Sequence, residues 1–322
     1  MVRPVPTSLP TMLDAYNPWQ VTAHSIGPMA RRALNGSMLG EVCAVFARTF
    51  YIRTENCLLC VATGDVYNGP LTIVTNAPET TSWQASGVRV RQRVVLQSRR
   101  IAVGMMLVIP YGEATDWMPS RPHANDKEMT SKGIANLRAK VVDRLPRNGL
   151  AEFVARSSLN IRSSLAEVAE GPIRRISSAL SVALFRRRLF QPSPVDVAAL
   201  LGLGPGLTPS GDDFLGGMMV GLYAVREDGF ARDLWRIIND CGESSANIIS
   251  WAHLRAAAQG LAADSILRLT CIVSSGGETD DEILAAIDRI GHTSGWDMVA
   301  GLVVVLETWT GVMNNTSTNR EN

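Results

Sequence analysis

Residues 202–217 read Gly-Leu-Gly-Pro-Gly-Leu-Thr-Pro-Ser-Gly-Asp-Asp-Phe-Leu-Gly-Gly. The run holds six glycines and two prolines, which shape the backbone but add little apolar area to a core. Apolar residues then recur at spacings of three and four, which predicts an amphipathic helix starting near Ser210 or Asp212. These residues are Phe214, Leu215, Met218, Met219, Leu222 and Val225. A glycine-rich loop that leads into a helix indicates a ligand site.

The start of this helix is where we expect the ligand. Ser210 or Asp212 is expected to cap the helix, and the first helical N–H groups would then point at an anion or a polarised carbonyl. Asp212 and Asp213 would repel a phosphate unless a cation or donor lies between them, so a divalent metal near these two carboxylates stays open. No resident cofactor is predicted. The alternative interpretation is a tight capped loop with a structural role.

A second stretch, residues 291–301, repeats this layout 84 positions later and reads Gly-His-Thr-Ser-Gly-Trp-Asp-Met-Val-Ala-Gly. The matching positions are Ser210 with Ser294, Gly211 with Gly295, Asp213 with Asp297 and Gly217 with Gly301. Both stretches run into apolar helices. If the two helices pack side by side, their starts would direct Asp213 and Asp297 at one pocket, with His292 as the nearby titratable base.

The two motifs, in this order, resemble a bacterial family whose members accompany FdrA-like proteins. One branch of it is the AllH-like subunit of oxamate carbamoyltransferase. The resemblance implies an activity in allantoin catabolism that interconverts carbamoyl phosphate plus oxamate with oxalurate plus phosphate. It also implies FdrA-like partner subunits.

The site is predicted to be a polar cradle for a small carboxylate, carbamoyl or phosphate-bearing metabolite. Its substrate-binding residues are predicted to be Gly204, Gly206, Thr208, Ser210, Gly211, Asp212, Ser294 and Gly295. Amide donors at the helix starts would stabilise an oxyanion and the departing phosphate. Asp213 or Asp297 would orient the attacking nitrogen or bind a metal, and His292 would move a proton. The alternative function is a non-catalytic metabolite-binding or scaffold subunit of an FdrA-like assembly.

Composition excludes other classes of function. The 322 residues carry a net charge of +1, and no Lys/Arg stripe alternates with aromatic residues, which argues against nucleic-acid binding. No apolar run reaches the roughly 20 residues that span a bilayer, and no leader is recognised, so a cytoplasmic protein without membrane contact is predicted. The five cysteines are predicted to be reduced thiols, with Cys57 and Cys60 packed in the core.

The pattern of the chain changes near residue 120, which predicts an α+β protein. Residues 1–120 are predicted to form a small β-rich sheet or barrel domain. Its strands are expected at 42–50, 57–62, 71–74, 88–96 and 101–109, between turn signals. Residues 121–322 show helical spacing in ten stretches, which predicts a mostly helical domain that carries both motifs.

Overall fold

The computed structural model describes residues 18–36, 38–55, 57–155, 163–242 and 247–311. The chain forms two compact units, residues 1–118 and 119–322. Among the described residues, the first unit is built on a β-sheet, and the regular elements of the second are all helices. The predicted α+β class, with a β-rich part followed by a helical part, is confirmed.

The N-terminal unit contains ten strands and one helix in its described residues. The strands are β1 (Trp19–Gln20), β2 (Ala23–Ile26), β3 (Leu39–Val45), β4 (Thr49–Thr54), β5 (Leu58–Ala62), β6 (Thr72–Thr75), β7 (Arg93–Gln97), β8 (Arg100–Val103), β9 (Leu107–Pro110) and β10 (Thr115–Asp116), and the helix is α1 (Pro28–Gly36). They form one sheet in the order β1-β9-β8-β7-β3-β4-β5-β6-β2-β10. Most neighbours are antiparallel, whereas β1 with β9, β5 with β6 and β2 with β10 are parallel.

Three predicted strands in this sheet have the wrong extent. Residues 42–50 were expected to form one strand, but the chain turns between β3 and β4. Trp83 holds that turn, because its backbone N–H donates to Ala47 O (2.8 Å) and its indole N–H donates to Arg48 O (3.1 Å). The strand expected at 88–96 begins only at Arg93, because Arg91 has a left-handed backbone (φ 69°). Residues 101–109 were also expected to form one strand, but the chain turns at Gly104 (φ 54°) between β8 and β9. All three errors come from long-range contacts or backbone geometry rather than local composition.

The five cysteines are free. Cys60 lies in β5, where burial raises the pKa of its thiol to about 12. Cys57 directly precedes β5 and is exposed. Core packing is therefore confirmed for Cys60 and wrong for Cys57.

The described residues of the C-terminal unit form ten helices. These are α2 (Lys127–Val141), α3 (Glu152–Ala155), α4 (Ser164–Arg186), α5 (Pro194–Leu200), α6 (Ser210–Ala224), α7 (Asp228–Cys241), α8 (Ile248–Ala257), α9 (Asp264–Ser274), α10 (Asp281–Asp288) and α11 (Ser294–Thr310). None of the helices in the described ranges is both long and apolar enough to cross a lipid bilayer.

Helices α6 and α11 form the centre of this unit. In α6, every residue except Tyr223 is buried, including the polar residues of its first turn. The amphipathic face predicted for this helix is therefore wrong: a helix buried on all sides lies inside its domain rather than on its surface. In α11, burial likewise extends around the helix. The two motifs thus begin the two central helices.

Candidate functional site

Helices α6 and α11 cross so closely that each presents a glycine to the backbone of the other. A methyl group on Gly217 would lie 1.9 Å from the carbonyl oxygen of Met298, and one on Gly301 would lie 1.9 Å from that of Phe214. Gly217 and Gly301 hold equivalent positions in the two motifs, and so do Phe214 and Met298. The crossing therefore relates the two motifs by an approximate two-fold rotation.

The serines of the motifs are the first residues of their helices and not the caps. The N-cap of α6 is Pro209 and that of α11 is Thr293, and neither makes a side-chain capping bond. The prediction that Ser210 or Asp212 caps α6 is therefore wrong. Pro209 has extended backbone angles (φ −57°, ψ 144°), and its carbonyl accepts the first helical hydrogen bonds. Both serine hydroxyls are consequently left for other contacts.

The structure brings the two helix starts together. Thr208 Oγ1 in the first loop lies 2.8 Å from Ser294 Oγ at the start of α11. Each serine also interacts with the aspartate of the other motif: Ser294 with Asp213, and Ser210 with Asp297. These reciprocal contacts follow the two-fold relation of the helix crossing.

Asp213 and Asp297, which we call the aspartate pair, are buried, with 6% and 0% of their surface exposed. Burial raises the pKa of Asp213 well above its ordinary value. The charge of Asp297 adds to this rise, and the Ser294 hydroxyl opposes it. Burial likewise raises the pKa of Asp297. One oxygen of each, Oδ2, is buried without a hydrogen-bond partner among the described residues. Two acceptors are thus unsatisfied at the meeting point of the helix starts.

The segment before α3 forms a further wall of the site. The Leu150 N–H donates to Asp297 Oδ1 at 2.6 Å. Gly149 has a left-handed backbone (φ 124°), and a methyl group there would lie 2.6 Å from the same oxygen. Sequence reasoning missed this segment. The sequence feature that marks this segment is a glycine directly before an apolar helix start. This feature is too common in proteins to identify a site residue.

Asp212 forms hydrogen bonds with two residues of the helical unit that lie outside the second motif. Its Oδ1 accepts the Gly202 N–H at 2.7 Å, and its Oδ2 accepts the Ser250 hydroxyl at 2.6 Å. Burial raises the pKa of Asp212, and these two bonds oppose the rise. Because both oxygens are occupied, Asp212 joins the glycine-rich loop to α8. These two bonds are structural, and substrate contact by Asp212 stays a prediction.

The motif glycines serve packing more than ligand binding. Gly211 N–H donates to Leu203 O at 2.9 Å, and Gly295 N–H donates to Ile290 O at 3.0 Å, so neither amide is free for an anion. Gly204 has a left-handed backbone (φ 114°) and brings its loop against the start of α6. The polar groups directed into the site are therefore mainly hydroxyls and carboxylates.

Two predicted residues lie at the margin of the site. Gly206 is exposed, and a methyl group there would meet no atom within 4 Å. His292 is exposed in the loop before α11.

Sequence reasoning passed over His253 in α8, three residues after Ser250 and hence on the same helix face. Burial lowers the pKa of His253 to about 4.

Metal ligands are sparse at the site. Across the ranges that the structure describes, no group of three or more His, Cys, Asp or Glu side chains is arranged to hold a metal ion. Near the helix starts, Asp212 is occupied by Gly202 and Ser250. Asp213 and Asp297 are therefore the carboxylates at the site that could still coordinate a metal ion.

The raised pKa of Asp213 predicts how stability depends on pH. A carboxyl whose pKa is raised on folding holds its proton more tightly in the folded state, so its contribution to stability is lost as pH rises from its ordinary pKa, 3.8, toward the folded value. We therefore expect Asp213→Asn to gain stability relative to the unmodified chain as pH rises above about 4. Urea unfolding across this range measures the difference.

The matched control for this experiment is Asp143→Asn, at an exposed carboxylate. Its stability relative to the unmodified chain should not vary with pH in the same way. A pH-independent difference for Asp213→Asn would show that burial does not raise the pKa of this carboxyl.

Two family models match the chain. Residues 22–116 match the AllH family N-terminal domain, and residues 200–306 match the oxamate carbamoyltransferase subunit AllH. The second match contains both motifs and the aspartate pair, and the two matches together cover most of the chain. No solved structure matches the chain. The reciprocal helix starts therefore lie within the matched core, and the chain belongs to the AllH family of oxamate carbamoyltransferase subunits.

Proposed function

We propose that this chain supplies the binding site for a small amide- and carboxylate-bearing substrate in an oxamate carbamoyltransferase assembly. The observation that carries the proposal is the pair of unsatisfied buried oxygens, Asp213 Oδ2 and Asp297 Oδ2. A buried acceptor without a donor costs about 1–3 kcal/mol, and a substrate N–H would relieve that cost. The family description of an oxamate carbamoyltransferase subunit supports the same substrate class.

Oxamate complements the site chemically. Its amide group carries two N–H donors, which suit two carboxylate acceptors, and its carboxylate accepts hydrogen bonds from hydroxyls. Thr208, Ser210 and Ser294 supply the hydroxyls at the two helix starts. Gly204 and Gly206 shape the loop that carries Thr208. A free phosphate lacks N–H donors, and its negative charge would be repelled by the aspartate pair.

The proposed reaction is attack by the oxamate amide nitrogen on the carbamoyl carbon of carbamoyl phosphate. A C–N bond forms, the C–O bond to the phosphate group breaks, and the nitrogen gives its proton to the Asp213 carboxylate, which leaves oxalurate and phosphate. Because burial raises its pKa, Asp213 is a stronger base than an exposed aspartate. Asp297 orients the amide. The serine hydroxyls turn from the aspartates, whose oxygens then accept the substrate N–H groups, and stabilise the negative charge on the carbonyl oxygen.

Other groups complete the site in this proposal. Neither motif contains a lysine or an arginine, although phosphate sites commonly use one. A partner subunit, FdrA-like as the resemblance implies, is proposed to supply that cation.

His292, exposed beside the site, passes the proton to solvent. The proposed step uses no divalent metal, because Asp213 takes the proton of the attacking nitrogen directly. The resemblance supports a role for this reaction in allantoin catabolism.

The test compares the purified chain with the chain co-expressed with its partner subunits. We expect isothermal titration calorimetry to detect oxamate binding to the isolated chain, because the acceptor pair lies within it. We expect the assembly, with or without EDTA, to release phosphate from carbamoyl phosphate when oxamate is present. If the assembly is active but the isolated chain binds no oxamate, the chain is a scaffold subunit, and the proposal is overturned. Loss of activity in EDTA would overturn the metal-independent mechanism.

A further inference from the structure

A cavity lined by charged and aromatic residues lies in the C-terminal unit, near the C-terminal ends of α4 and α11. Its volume is about 920 Å³, which lies within the usual range for small-molecule sites. Among the lining residues that the structure describes, Lys127, Arg187 and Arg188 are basic and Glu227 is the one acidic residue. The function proposed above uses none of these residues.

The charge of this cavity favours an anion. The described side chains that line it sum to two net positive charges. The C-termini of α4 and α11 each add roughly half a negative charge, and the starts of α2 and α7, near Lys127 and Glu227, add about as much positive charge. Helix dipoles therefore do not neutralise the excess. Burial raises the pKa of Glu227, and the charge of Arg187 opposes this rise. The Arg188 side chain makes no ion pair with the described residues.

The backbone presents these arginines in an uncommon way. Helix α4 ends at Arg186, and its C-cap Arg187 has a left-handed conformation (φ 48°, ψ 44°) that is usual for a glycine at the end of a helix. The N–H groups of Arg187 and Arg188 both donate to Ala183 O. The chain thus places two successive guanidinium groups beside one cavity, despite the strain of the left-handed residue.

The same cavity has aromatic walls. Trp309 and Phe230 line it, and Lys127 Nζ lies 5.3 Å from the centre of the Trp309 ring. Phe230 packs against the buried Phe190, with ring centres 5.7 Å apart. Guanidinium groups bind phosphate through paired N–H donors, and aromatic faces stack on planar rings.

From the volume, the excess positive charge and the aromatic walls, we infer that this cavity binds a nucleoside phosphate. The arginines bind the phosphate, and Trp309 and Phe230 contact the base. Trp309 and Asp297 are twelve residues apart on α11, about 18 Å along its axis at ~1.5 Å per residue. The ligand would therefore bind away from the aspartate pair. This inference stands whether or not the chain binds oxamate.

The probe for this site is AMP, titrated calorimetrically into the full-length chain, with adenosine and inorganic phosphate as separate titrants. We expect AMP to bind. Adenosine and inorganic phosphate should each bind at least about tenfold more weakly than AMP, because each makes only one of the two types of contact. Arg188→Ala should weaken AMP binding by about tenfold or more, the effect of one charge-assisted hydrogen bond. Trp309→Leu should weaken it as well.

The matched control is Arg174→Ala, which removes the same charge from an exposed position of α4 that does not line the cavity. It should bind AMP as the unmodified chain does. Three results would overturn the inference: no AMP binding, equal binding of AMP and inorganic phosphate, or equal weakening by Arg174→Ala and Arg188→Ala. Arg188 is exposed, so its variant should fold, and its thermal midpoint checks this.

Discussion

Replacing Gly217 by alanine should lower the thermal midpoint of the chain by about 6–12 °C or more. The added methyl group would lie 1.9 Å from the Met298 carbonyl oxygen, and both groups belong to the backbones of central helices. No side-chain rotation relieves this contact, so α6 and α11 must separate. Overpacking of this kind costs about 3 kcal/mol or more, and each kcal/mol shifts the midpoint of a domain this size by roughly 2–4 °C.

The neighbouring glycine provides a matched control. A methyl group on Gly216 would lie 3.3 Å from Met298 Cε, the flexible end of a side chain, and 3.6 Å from Ala257 Cβ. The closer contact asks only for a small movement, and alanine favours a helix over glycine by about 1 kcal/mol. Gly216→Ala should therefore leave the thermal midpoint within about 4 °C. Equal midpoints for Gly216→Ala and Gly217→Ala would contradict the close crossing.

The approximate two-fold relation extends this prediction to α11. Gly301→Ala places its methyl group 1.9 Å from the Phe214 carbonyl oxygen and should destabilise the chain as Gly217→Ala does. The two substitutions act on one crossing, so their effects in the double variant should be less than additive. Differential scanning calorimetry of the two single variants and the double variant measures this.

Sequence predicted the fold class and the pairing of the two motifs because both leave local signals. Alternating apolar runs with turn residues indicate strands, and spacings of three and four indicate helices. The repeated Ser-Gly-x-Asp pattern indicated two similar helix starts, and the Thr208–Ser294 contact of 2.8 Å joins them in space.

The detail of the site depends on contacts that no local pattern records. The same residue types suggested capping for Ser210 and substrate contact for Asp212. Instead, Pro209 precedes the helix, and Asp212 turns to Gly202 and to Ser250, 38 residues later. Likewise, Leu150 reaches Asp297 across 147 residues. Such partners are set by how helices pack, which a single sequence does not specify.

Asp213→Asn should lower turnover of the assembled enzyme by about 100-fold or more, the usual contribution of a general base, while the chain remains folded. Asparagine matches the shape of aspartate but cannot accept the proton of the attacking nitrogen. The substitution also removes a buried charge that Asp297 repels, so the thermal midpoint should stay the same or rise. Phosphate release from carbamoyl phosphate with oxamate, measured beside the midpoint, separates the two effects.

Asp212→Asn is the contrast that makes this prediction specific. An asparagine at this position keeps an acceptor for the Gly202 N–H and can donate to the Ser250 oxygen, so both bonds to Asp212 have replacements. Its turnover should fall by only a few-fold, since no base is lost. If both variants lost turnover equally, the two carboxylates would share one role. If Asp213→Asn instead lost stability and kept its turnover, the buried Oδ2 of Asp213 would serve the fold, and the proton of the attacking nitrogen would need another acceptor.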